Sequence, residues 1–111
     1  MLSQLPSLQL LVRYLQKVPY LAARNIYKIA FYFLSNDVRQ VEQFCQVVLD
    51  AKKNVKPCAC CFNWTEGAVF CSICSSIKRN KNVICVVENW YDLFAIEQAG
   101  GFTGVFHVLG G

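Results

Sequence analysis

Two Cys-x-x-Cys pairs, at Cys58/Cys61 and Cys71/Cys74, stand nine residues apart near the middle of the chain. Each pair can close a tight knuckle that aims two sulfurs at one point. Four thiolates so placed satisfy a tetrahedral Zn²⁺ at S–Zn distances of about 2.3 Å. Two such pairs read as a metal site; a redox dithiol comes as a single pair on a strand-to-helix turn. Between Pro57 and Ser76 the apolar residues are chiefly Phe62, Trp64, Val69, Phe70 and Ile73, which is little to build a core from. Structural zinc supplies on the order of 10 kcal/mol of folding free energy in small metallo-domains. With all four positions filled by protein, Cys58, Cys61, Cys71 and Cys74 are expected to hold one structural zinc that keeps shape and does no chemistry.

The 111 residues, 55% of them hydrophobic, suit one domain or two small pieces sharing a core, and argue against disorder. The longest apolar run, Ile29 to Leu34, is far too short to span a bilayer. The N-terminus lacks the basic and long apolar regions of a signal peptide. Seven cysteines then read as a metal cluster in a reducing cytoplasm. Cys45 and Cys85 sit in apolar periodic segments and are expected in the core, while Cys60 should point away from the knuckle.

Charge is unevenly spread. Residues 1–81 carry all 11 Lys and Arg against four acids, and residues 82–111 carry Glu88, Asp92 and Glu97 with no Lys or Arg. A basic first portion suggests a polyanion partner, with a merely solvated surface as the alternative.

Leu8, Leu11, Val12 and Leu15 recur at helical spacing over 7–17, after Pro6. Val18-Pro-Tyr20 interrupts, and a second helix is expected at about 22–34 with Ile26, Ile29, Ala30 and Phe33 on one face. After capping oxygens at Ser35-Asn-Asp37, a third helix to about Lys53 should bury Val38, Val41, Cys45, Val48 and Leu49. Residues 78–82 read as a polar turn, and Val83–Val87 as a buried parallel strand. Asn89 caps a helix at about 90–99 that ends at Gly100-Gly101, and Val105–Leu109 forms another strand. The fold class is α+β: a helical region (1–56) comprising a hairpin and third helix, a four-cysteine zinc segment (57–76), and an incomplete α/β unit (77–111). Two parallel strands and one helix bury too little to stand alone, so the expectation is either a chain truncated relative to its ancestors or a partner that completes the sheet.

In this order, the helices, the four-cysteine segment and Ile84-Cys-Val-Val-Glu88, followed by Ala95-Ile-Glu-Gln98 and His107-Val-Leu-Gly-Gly111, resemble the bacterial RecR recombination proteins. The resemblance covers nearly the whole chain but only the N-terminal part of that architecture. It implies a helix-hairpin-helix-like start, the zinc finger and the opening of a Toprim domain. It also implies a non-catalytic mediator that works with RecO and RecF to help load RecA at gapped DNA, and assembles into ring-like homo-oligomers. The hairpin's Gly-x-Gly turn is here Tyr20-Leu-Ala22, whose side chains hinder backbone approach to a phosphate. Arg24 and Lys28 remain available as side-chain contacts. Further candidate DNA contacts are Lys52, Lys53, Lys56, Lys78, Arg79 and Lys81. Glu88 aligns with the Toprim signature acid, but no aspartate follows Asp92 to complete a Mg²⁺-holding pair. His107 reads as a core or edge histidine. The competing expectation is an interaction scaffold that keeps the zinc fold without DNA binding; a Toprim nuclease or thiol-redox role would need Glu88 or a reactive cysteine alone to suffice.

Overall fold

The computed structural model describes residues 1–110. Two compact units divide the chain, Met1–Val47 and a second from Val48 onward.

In the first unit, α1 (Pro6–Gln16) follows a short 3₁₀ turn at Leu2–Gln4 and has Pro6 at its first position, where the missing N–H is no loss. Its Val12 packs with Ile26 and Ala30 of α2 (Ala23–Ser35), and Leu8, Leu11 and Leu15 border that small core. The two helices therefore form the expected hairpin, with the anticipated faces inward. Its turn is costly in one place. Tyr20 has φ 70° and its side chain is 91% exposed, a left-handed conformation that L-residues other than Gly and Asn/Asp seldom adopt. Asn36 ends α2, donating from Nδ2 to the Tyr32 carbonyl at 2.7 Å. Asp37 begins the next helix by accepting from the Arg39 amide at 3.3 Å and, through its carbonyl, from the Gln40 and Val41 amides.

That helix, α3 (Val38–Asn54), has the expected span but not the expected burial. None of its residues is buried: Val38, Val48 and Leu49 are half or more exposed, Cys45 is exposed and Val41 is only partly covered. Periodicity identified an apolar face, and a period cannot say whether anything covers it. Phe44 alone makes an aromatic contact, edge-on to Phe33 at 5.2 Å.

The second unit holds two small sheets. β1 (Val55–Pro57) pairs antiparallel with β2 (Trp64–Glu66), and one turn of helix, α4 (Ser72–Ser75), follows. β3 (Asn80–Val87), α5 (Trp90–Ala99) and β4 (Gly104–Val108) then make a parallel β-α-β unit. Asn89 caps α5, its Oδ1 accepting from the Asp92 amide at 3.1 Å, and Gly100 and Gly101 end it at φ 74° and 93°. β3 begins earlier than the expected Val83. Asn80 pairs with Gly104 and pairing resumes at Ile84 with Val105, so residues expected as turn form a bulged start to the strand. At Gly104 a Cβ would strike the Val83 carbonyl oxygen, so this approach of the bulged strand requires a glycine there. One core joins both sheets: Cys58, Cys61, Cys71 and Ile73 pack with Val87, Leu93, Phe106 and Val108, and Cys85 lies against them, half-buried.

Candidate metal centre

The first knuckle is built by its own backbone. Phe62 takes φ 67°, which turns its amide back to the Cys58 carbonyl at 3.0 Å while the Cys58 amide donates to the Asn63 carbonyl. Asn63, the one buried polar residue among those described, donates its amide to Cys61 Sγ at 3.4 Å and accepts from the Trp64 amide at 2.8 Å. The second knuckle repeats the device: Cys74 donates its amide to Cys71 Sγ at 3.4 Å. A cross-link joins them, the Cys71 amide reaching Cys58 Sγ at 3.2 Å. Amides aimed at sulfur stabilise thiolate and fix its direction. Sequence alone did not single out Phe62 or Asn63 as builders of the knuckle; the left-handed turn at Phe62 has no counterpart after Cys74, where the chain runs on as helix.

The four Sγ atoms all lie within 4.8 Å of one another, and Cys61 and Cys71 sulfurs are 3.6 Å apart. A tetrahedron with Zn–S bonds of about 2.3 Å has edges of about 3.8 Å, so the donor set, its spacing and its burial fit one structural zinc. The thiols are not equivalent. Burial raises the Cys58 thiol, but amides of Cys61, Cys71 and Cys60 together outweigh it and bring it down to about 6. Burial pushes Cys61 up to about 11. Burial, then the neighbouring sulfurs of Cys61 and Cys71, push Cys74 higher still. Cys60 is exposed, outside the cluster.

The centre is tied to the β-α-β unit. The Val108 amide of β4 donates to the Cys61 carbonyl at 2.8 Å, and Phe62 meets the half-buried His107 ring edge-on at 5.7 Å. Lys81 Nζ donates to the Cys74 carbonyl. Arg79 is likewise engaged: Nη1 donates to the carbonyls of Phe102 (2.9 Å) and Gly104 (3.2 Å), and Nη2 pairs with Glu97 Oε1 at 2.6 Å. Of the candidate DNA contacts, Arg79 and Lys81 are thus the two engaged with their own fold, Arg79 through three partners and Lys81 through one. Arg24 and Lys28 lie exposed on α2, Lys52 and Lys53 on the last turn of α3, Lys56 on β1, and Lys78 in the following turn. Glu88 is an exposed residue just past β3 whose carbonyl accepts from Gly110.

A four-cysteine zinc module sharing its core with a β-α-β unit defines the class. Comparison with known proteins specifies it. Residues 55–76 match the RecR four-cysteine zinc finger domain and residues 82–111 the Toprim domain. Recombination protein RecR of Rubrobacter xylanophilus is 36% identical over 105 residues, covering 95% of this chain and 52% of the relative. RecR of Prochlorococcus marinus is 38% identical over 101 residues, covering 91% of this chain and 50% of the relative. RecR of Brachyspira hyodysenteriae is 32% identical over 110 residues, covering 99% and 54%. The likeness to RecR is thereby shown along nearly all of the chain, which spans about half the length of the curated relatives it matches.

Proposed function

We propose that the chain is a non-catalytic, DNA-binding component of recombinational repair, acting in the cytoplasm with RecO- and RecF-like partners to help load RecA at gapped DNA, and assembling with copies of itself. The observation that carries this reading is the convergence of Cys58, Cys61, Cys71 and Cys74, taken as the zinc ligands, within a RecR-type segment. Residues 1–56 would serve as the helical region, 57–76 as the zinc segment and 77–111 as the start of a Toprim-like unit. No helix among the described residues is long and apolar enough to cross a membrane.

Within this reading Glu88, exposed just past β3, is taken as a strand-end carboxylate with no catalytic part. Binding would be electrostatic, through Arg24, Lys28, Lys52, Lys53, Lys56, Lys78 and Lys81. If all seven met phosphates, affinity for duplex would fall with salt at a logarithmic slope of about −6. The test is binding of zinc-loaded chain to duplex and gapped DNA across a salt series. A negative slope of up to that size is expected, and no binding at low salt would refute the reading. The second reading, a scaffold without DNA binding, is favoured by Tyr20, whose exposed ring occupies the hairpin turn where a phosphate would need bare backbone. Partner binding without DNA binding would establish it.

A further inference from the structure

The zinc segment carries more aromatic surface than its fold consumes. Of Phe62, Trp64, Val69, Phe70 and Ile73, only Ile73 is buried; Trp64 and Phe70 are each 50% exposed. They line a single open cleft of about 430 Å³ beside the metal centre, within the size range of small-ligand sites. β2 contributes Trp64, Thr65 and Glu66 to it, and Ala68, Phe70 and the α4 residues Ser72 and Ser75 line the remainder. Thr65 Oγ1 donates to the Phe70 carbonyl at 3.4 Å, linking the residue next to Trp64 to the backbone of Phe70. Cys61 and Cys71 bracket this stretch in sequence, so a closed metal centre fixes both of its ends.

We propose that this cleft receives an unpaired nucleobase, stacked on Trp64 or Phe70. The inference rests on the DNA-binding reading above and adds a distinct, single-strand site to it. Three observations favour a base over an apolar protein segment. Besides its two aromatic residues the cleft is lined by Thr65, Glu66, Ser72 and Ser75, with Ala68 as its one aliphatic residue. With Arg79 paired to Glu97, the surrounding sequence, residues 51–81, still holds five Lys against Glu66, which draws in a strand's phosphates. Lys56 stands directly opposite Thr65 in the β1–β2 ladder, beside the cleft. Glu66 then accepts from an exocyclic amine, such as that of cytosine or adenine, which thymine lacks.

The experiment uses the zinc-loaded full chain carrying Trp90→Phe, which leaves Trp64 as the sole tryptophan. Titration with oligo(dC), oligo(dA) and oligo(dT) should quench Trp64 emission, with oligo(dT) binding weakest. Trp64→Ala and Phe70→Ala, each checked for unchanged zinc content, are followed by labelled oligonucleotide. At least one should bind single strands roughly ten- to hundredfold more weakly, while duplex affinity stays unchanged. Glu66→Ala should erase the oligo(dC)-over-oligo(dT) preference. Duplex binding with normal salt dependence, but single-strand affinity indifferent to both aromatic substitutions, overturns the cleft alone. Failure to bind either form of DNA overturns the DNA-binding reading and the cleft with it.

Discussion

Arg79→Ala separates a structural cation from a DNA-facing one. Its guanidinium makes two hydrogen bonds to carbonyls and an ion pair with Glu97, the side chains being 16% and 31% exposed. Charge-assisted bonds contribute about 1.5–3 kcal/mol each when shielded. The three are not additive, and water can reach the freed carbonyls and the partly exposed carboxylate. A loss of about 2–4 kcal/mol is therefore expected, against under about 0.5 kcal/mol for Lys78→Ala at its exposed neighbour. Thermal unfolding at fixed excess zinc reads the difference, since zinc bound only by the folded state shifts the midpoint. For a unit of this size 1 kcal/mol moves the midpoint by about 4–8 °C, so a fall of about 10 °C or more is expected. DNA binding should respond in the opposite pattern. Lys78→Ala should reduce the salt slope by about 1 and Arg79→Ala should leave it alone. An Arg79→Ala protein as stable as its parent would refute the reasoning.

Chelation should loosen the second unit as a whole. Hydrogen exchange at the Val108 amide, bonded to the Cys61 carbonyl, should accelerate with zinc removal, and protection that survives the chelator would sever that link. Zinc binding should also weaken as pH falls. Cys61, pushed up to about 11, carries a proton at neutral pH that the metal must displace, and below about 6 Cys58 protonates as well; competition with a chromophoric chelator from pH 8 to 5 would measure this, and a flat profile would contradict it. Tyr20→Gly removes a left-handed strain of about 1–2 kcal/mol and adds unfolded-state entropy of about half that, so thermal unfolding should show a net gain of about 0.5–1 kcal/mol. Gly104→Ala should cost about 1–3 kcal/mol or more, because its Cβ would strike the Val83 carbonyl; an unchanged urea midpoint would mean that the bulge yields freely.

What the sequence revealed, and what it concealed, divides by range. The knuckles, the α1–α2 hairpin and the Asn89-capped helix all depend on residues within a few turns of each other, and their signals lie in spacing and capping chemistry. The misplaced features depend on distant partners. Val48, Leu49 and Cys45 lie on an apolar stripe that nothing among the described residues covers. Asn80 joins β3 because Gly104, far along the chain, lets it in. Arg79 looked like one cation in a basic run, and only the fold brings Phe102, Gly104 and Glu97 around it.

The bond between the Cys61 carbonyl and the Val108 amide also implies an order in time. Each knuckle closes over a few residues, and both pairs meet across a short loop, so their assembly costs little chain entropy and can come early. β4 must instead return across the whole intervening β-α-β sequence before its final amide finds that carbonyl. By then the metal-bound knuckle can present a fixed docking point, and the parallel strand pair can condense onto it. Kinetically, zinc would be this unit's nucleus, and scarce metal would slow its folding as well as lower its stability.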